Sequence, residues 1–333
     1  LRLGIGNHIK ADKAQIKKLT QMARQALKDG ALGIGMSIEY APGTTALEIQ
    51  AMMRVAVAHN VPVFFHIRHS DMEEPGTNIE ALNEVLDLAK ETGAAIHIDH
   101  INSTGGTFSM ERSLEMLRKA RKDGVDVTAC TYPYSYWATY LSSARFSKGW
   151  QKRFRIDYKD LQLGGSTERL TKKSFNKYKK LGKLAVAYAM PEDEITLAMR
   201  APFVMIGSDG ILEPPLNNHP RGAGAFARTL AVYVREGGEL TLMEALRKMT
   251  IMPAKRLEAS VPSLKRKGRI QRGADADIII FDPKKVKDMA TVEKPNGFSE
   301  GIDYVLVGGV VIKDPVGFYK KEFPGRAVKA VFE

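Results

Sequence analysis

Apolar positions fall into two alternating textures along this chain. Short β-branched runs begin at 31 (ALGIGMSI), 61 (VPVFFHIR), 94 (AAIHIDHI) and 125 (VDVTACTY), successive starts lying 30, 33 and 31 residues apart. Between them apolar residues return every three or four positions, the spacing of one helix face. In NIEALNEVLDLAKETG, Ile79, Leu82, Val85, Leu86 and Ala89 share such a face, and Gly93 supplies a natural stop. TTALEIQAMMRVAVAHN opens with Thr45 and Glu48 at the spacing of a capping box. SMERSLEMLRKARKDG ends at Gly124, and ADKAQIKKLTQMARQALKDG aligns Ile16, Leu19, Ala23 and Leu27 before its own glycine. Strand alternating with helix at this period is the βα unit of a parallel sheet.

A fifth run, PFVMIGSDG from 202, precedes helical patterns at 222–236 and 241–249. The stretch between the fourth and fifth runs, about 135–200, is rich in Tyr, Trp, Lys and Arg. A long insertion after a strand's C-terminal end is where α/β enzymes keep substrate loops. After about 260 the texture changes to short β runs cut by Gly and Pro: GRIQRGADADIIIFDP, GIDYVLVGGVVIKD and AVKAVFE. The expected organisation is a barrel-like α/β unit over 1–259 and a small β subdomain over 260–333.

Composition narrows the function classes. With 333 residues, 44% hydrophobic and 26% charged, the chain can bury a core without staples. Its one cysteine, Cys130, rules out an internal disulfide or a cysteine zinc cluster. No run of about 18 apolar residues marks a membrane span, and the expected location is cytoplasmic. The net charge of +12 is dispersed and mixed with acids, so a small-molecule partner is expected rather than nucleic acid. The nucleophile elbow G-x-S-x-G, the phosphate loop and the full dinucleotide fingerprint are all missing.

Polar chemistry clusters where the runs end: FFHIRH, HIDHIN, TYPY and IGSDG. In parallel α/β folds that end carries the site. Imidazoles beside carboxylates suit zinc or a similar divalent metal. Strand alternation puts His66 with Phe64 and Arg68, and His100 with Ile96, Ile98 and Asn102. Because barrel interiors are apolar, alternation favours His100 over His97 as the inward group. Taken singly, each has a plainer reading: Asp209 as an Asx turn, Arg68 and Arg221 as ion-pair residues, Tyr40, Tyr132 and Tyr134 as packing aromatics. His8, His59 and His69 read as surface or cap residues, and Cys130 as a packed thiol.

The ordered series GALGIGMSIEYAPG, FFHIRHSDMEEPG, HIDHINSTG, TYPY, MIGSDG…HPRGAGAFARTL, ALRKMTIMPAKRL and GRIQRGADADIIIFDP resembles the N-acyl-D-amino-acid deacylases (D-aminoacylases) of the amidohydrolase superfamily. The resemblance runs from residue 1 to PGRAVKAVFE. It implies a metal-bearing (β/α)₈ barrel of the TIM type beside a small β-sandwich. It implies His66 and His100 as metal ligands, Zn²⁺ or another divalent ion as cofactor, and Asp209 as metal ligand and catalytic base. Arg221, Arg68 and Tyr40 would orient a carboxylate-bearing substrate. Asn102 stands where the family commonly has lysine, and a neutral amide cannot neutralise a carboxylate as lysine does; the basic insertion can supply that charge. The family begins with further sandwich and barrel strands, including a His-x-His pair, that do not precede Leu1. A longer protein with an N-terminal segment is therefore expected. Glu39, ending the first run, is a further possible ligand. Competing readings are a cyclic amidohydrolase of dihydroorotase or hydantoinase type, and a non-catalytic relative.

Overall fold

A computed structural model describes residues 4–73, 76–211 and 217–332. Glu74, Pro75 and Glu333 of the motifs above lie outside the described residues. The four leading runs become β1 (Ile34–Ser37), β2 (Val63–His66), β3 (Ile96–Ile98) and β4 (Val127–Thr131). Helices α1 (Lys13–Lys28), α2 (Ala46–Ala58), α3 (Asn78–Thr92) and α4 (Met110–Lys122) alternate with them. The caps form where the sequence places them. Asp12 with Gln15 and Thr77 with Glu80 close full capping boxes, and Gly93 takes the left-handed conformation at φ 72° that ends α3. At Thr45 only half the expected box forms: its hydroxyl accepts from Glu48 N, but no return bond reaches the Thr45 backbone.

The chain then leaves the sheet and builds a small antiparallel sheet from β5 (Trp137–Tyr140), β6 (Leu161–Leu163) and β7 (Leu184–Ala187), in the order β5-β7-β6. Its core is aromatic: Trp137, Phe146, Trp150, Phe154 and Phe175 are all buried. Trp150 stacks on Phe175 with ring centroids 5.5 Å apart. The chain returns through helix Glu192–Arg200 to β8 (Val204–Ile206). β8 pairs in parallel with β4, giving a five-stranded sheet of order β1-β2-β3-β4-β8. Helices Arg221–Arg228, Thr229–Glu236 (π-helical) and Leu242–Met249 follow.

Val63, Phe65, Ile96, Ile98, Val127 and Ala129 point outward into one apolar layer with Leu82, Val85, Leu114 and Leu117 of α3 and α4. The opposite face therefore carries Phe64 and His66, then His97 and Asp99. Phe64 and His97 touch there, ring centroids 5.4 Å apart. This reverses the expected facing of β3: the isoleucines serve the helix layer, and His97 and Asp99 face the sheet's inner side. The neighbouring helices, not the sheet's inner side, take the most apolar face.

The C-terminal region forms an antiparallel sheet of order β11-β10-β9, with β9 (Ile278–Phe281), β10 (Ile302–Val307) and β11 (Val310–Lys313). The last stretch, expected as a β run, forms no strand. It lies along the α/β unit instead, Ala330 N donating to Gly30 O and Val331 N to Ser260 O, with the Phe332 ring against His59. Among the described residues no helix is long and apolar enough to cross a membrane.

Phe154, fully buried in the aromatic cluster, tests whether this insertion is a packed unit. Phe154→Ala should cost about 3–5 kcal/mol in urea unfolding; a loss under about 1 kcal/mol would show a loosely packed cluster.

Candidate active site

The C-terminal ends of the five parallel strands open onto a cavity of about 580 Å³. Glu39 sits in the 3₁₀ turn just after β1, and His66 is the last residue of β2. His100 follows β3 and leaves strand geometry at φ 31°. That left-handed residue breaks the alternation, so His100 reaches the mouth although Ile96 and Ile98 face away. Asp209, after β8, is also left-handed at φ 47°. Two non-glycine residues in this region on one rim mark a site whose backbone is held by its surroundings.

The side chains form a continuous row. His66 Nε2 lies 2.6 Å from Glu39 Oε2, and His66 Nδ1 lies 3.2 Å from His100 Nε2. His100 Nε2 is 4.0 Å from Asp209 Oδ1, and Arg221 Nη2 is 2.9 Å from Asp209 Oδ2. Ser70 Oγ donates to the same Glu39 oxygen at 2.6 Å, with Arg145 Nε 3.8 Å away. Burial pushes the Glu39 carboxyl up, but Arg145, His66 and Ser70 outweigh it and hold it down at about 2. For Asp209, burial is likewise outweighed, chiefly by Arg221 and then by His100, and its carboxyl stays below the ordinary range. Burial drives the His100 ring down to about 4. The site thus holds two carboxylates and a neutral imidazole at neutral pH.

These residues fit a divalent metal. Glu39 draws the proton of His66 to Nε2, which turns a lone pair on Nδ1 toward His100, the usual carboxylate support of a ligand histidine. The 3.2 Å between the two facing nitrogens is about what two nitrogens 2.0–2.1 Å from a tetrahedral ion keep. His100 Nδ1 and Glu39 Oε1 are buried without hydrogen-bond partners among the described residues. Glu39, read from sequence as a possible ligand, lies against the far nitrogen of His66.

The expected substrate-side residues divide. Tyr40 lines the cavity, its ring 4.8 Å from that of His66 and its hydroxyl 3.2 Å from Thr139 Oγ1. Arg221 is buried over the Tyr132 ring, with Nε and Nη1 unpartnered among the described residues. Arg68 is placed elsewhere: its guanidinium grips both carboxylate oxygens of Glu84 and donates to Pro42 O and Thr44 O. Asn102 is turned away too, its amide pinned to the Tyr132 backbone. The sequence reading missed Arg145, which is buried against Trp137 and lines the cavity. Sequence carried little signal for it, because Lys148, Lys152 and Arg153 share the same stretch between Trp137 and Phe154 and only burial sets Arg145 apart. It also missed His219, whose Nδ1 accepts from Arg221 N and whose Nε2 donates to Tyr136 O.

Fold and site together place a group of metal-fitting side chains at the C-terminal ends of a parallel α/β sheet. The chain belongs to the amidohydrolase family, whose model matches residues 7–313. It is 32% identical over 307 residues to an N-acyl-D-glutamate deacylase of Alcaligenes xylosoxydans xylosoxydans, covering 89% of this chain and 61% of that protein. A D-aminoacylase of the same organism is 29% identical over 316 residues, with 91% and 62% covered. The chain thus spans about three fifths of the length of these curated relatives. Among solved structures, N-acyl-D-glutamate deacylase from Bordetella bronchiseptica, complexed with zinc and a phosphonate mimic of the tetrahedral intermediate, superposes with a TM-score of 0.80 at 29% identity. That match covers 98% of this chain and 68% of the other. The parallel sheet is accordingly part of a TIM-type barrel fold.

The buried rings set an acid limit on the fold. Burial holds His97 down at about 3, beside His100 at about 4. Unfolded, both take up a proton near 6.5, so stability drops as pH falls below that value. With metal chelated, the loss should approach about 1 kcal/mol per ring per pH unit. Urea unfolding at pH 7.5 and 5.5 measures it, and His97→Asn should flatten the dependence; an unchanged slope would contradict neutral burial of this ring.

Proposed function

We propose that this chain carries the catalytic half of a metal-dependent deacylase that hydrolyses the amide bond of N-acyl-D-amino acids, with acidic side chains preferred. The observation that carries the reading is the row Glu39–His66–His100–Asp209–Arg221, two facing imidazoles beside a carboxylate clamped by a buried arginine. His66 and His100 would hold the metal, with Asp209 beside them on the same rim. When bound, a zinc-class ion polarises an amide carbonyl and lowers the pKa of water at the site.

The remaining work belongs to the chain's own residues. Asp209, ionised at neutral pH, takes one proton from water as its oxygen bonds to the carbonyl carbon. As the C–N bond breaks, Asp209 returns that proton to the leaving nitrogen. Arg221 keeps the carboxylate aimed and offers its free Nε and Nη1 to the substrate carboxylate. Tyr40 walls the opposite side. Glu39 and Ser70 keep His66 in one tautomer.

Arg145 is the second buried cation on the cavity wall. It supplies the charge that Asn102 does not, and so favours a substrate with a side-chain carboxylate. The relative that deacylates N-acyl-D-glutamate points the same way. The lengths of the relatives are consistent with an N-terminal segment that completes barrel and metal site.

Asp209→Asn should lower turnover about 10²- to 10⁴-fold with the fold intact by circular dichroism; near-normal turnover would remove Asp209 from its role. Arg145→Met should cut kcat/KM for N-acetyl-D-glutamate relative to N-acetyl-D-leucine by about 10- to 100-fold, the worth of one charged hydrogen bond. An unchanged ratio would place acid recognition elsewhere.

A further inference from the structure

Beneath His100, on the inner face of β3 and β4, stands a second group of ligand atoms. His97, Asp99 and Cys130 each bring one, and all three lie within 4.8 Å of one another. Strand geometry brings them together. His97 stands opposite Thr128 in the parallel ladder, and two residues on, Asp99 and Cys130 share that face. None of the three has a part in the reaction above.

Each shows unused coordinating capacity. His97 is buried, with Thr128 Oγ1 2.7 Å from its Nδ1. That contact occupies one ring nitrogen and leaves the other for a ligand. The Asp99 side chain is half-buried and has no hydrogen-bond or ionic partner among the described residues. Among the described residues the Cys130 sulfur takes one hydrogen bond, from the His100 N–H at 3.2 Å. A carboxyl and a thiol thus stand together with no cationic side chain paired to either among the described residues.

We propose that His97, Asp99 and Cys130 form a second cation site, selective for a thiophilic divalent ion of the zinc class. A nitrogen, oxygen and sulfur set favours such ions over magnesium or calcium. On binding, the Cys130 S–H proton passes to solvent and a sulfur–metal bond forms, with no change of oxidation state. Asp99 and Cys130 line the same cavity as the His66–His100 pair, but the site uses none of that pair's ring nitrogens, and it stands whether or not the deacylase reading holds.

Co²⁺ is the probe, added to metal-free protein with its thiol kept reduced. Cys130 is the only cysteine in the chain, so any thiolate-to-cobalt charge-transfer absorption reports this site. The expected result is a band that saturates, disappears in Cys130→Ser and survives in His66→Asn. Asp99→Asn and His97→Asn should each need about tenfold more Co²⁺ or worse to develop it. No band in folded wild-type protein overturns the proposal. So does a band indifferent to Asp99→Asn and His97→Asn, whether or not Cys130→Ser folds. Loss of the band in His66→Asn would assign the sulfur to the upper pair and overturn it as well.

Discussion

The site depends on His66 being fixed through both ring nitrogens. Glu39 holds Nε2 at 2.6 Å, and His100 faces Nδ1 at 3.2 Å. A buried carboxylate with a low pKa leaves the imidazole one favourable proton position, and the other nitrogen then faces the cavity with its lone pair. Ser70 and Arg145 keep Glu39 anionic in turn. Through Arg145 the constraint extends to Trp137 and Phe154. The aromatic core of the insertion is thereby coupled to the ligand geometry at the strand ends.

The second constraint is backbone strain at the rim. His100 and Asp209 both adopt left-handed conformations that non-glycine residues disfavour. Each is held from below. His100 N donates to Cys130 Sγ, and its carbonyl accepts from Ser103 N. Asp209 is held by Arg221, whose own amide donates to His219. The rigid sheet and its helix layer oppose relaxation, and the strain places two functional groups over the cavity that ordinary strand alternation would turn elsewhere.

Much of this was legible in the sequence because it follows from periodicity and strand ends. The βα period, the parallel sheet and the polar strand ends with His66, His100 and Asp209 were readable from local pattern, whereas Tyr40 and Arg221 entered only through the family resemblance; the structure gathers these five residues around one cavity. The less legible parts are tertiary. The facing of β3 was misjudged, since alternation cannot tell which side the helices cover. Arg68 and Asn102 were drawn off by Glu84 and by the Tyr132 backbone, partners 16 and 30 residues away. Arg145 was hidden because its distinction is burial, and in sequence it is one of four cations between Trp137 and Phe154. The last stretch reads as β, yet it lies along the α/β unit without a strand to pair with.

The central claim is that the Glu39–His66–His100–Asp209 row serves a metal-dependent amide hydrolysis. The most direct measurement is release of free D-glutamate from N-acetyl-D-glutamate by the full-length protein, before chelation, after chelation and after zinc is restored. The account predicts release that stops on chelation, returns with zinc and is absent with the L-isomer. Release that persists without metal, or none from any N-acyl-D-amino acid in zinc-replete protein, would contradict it.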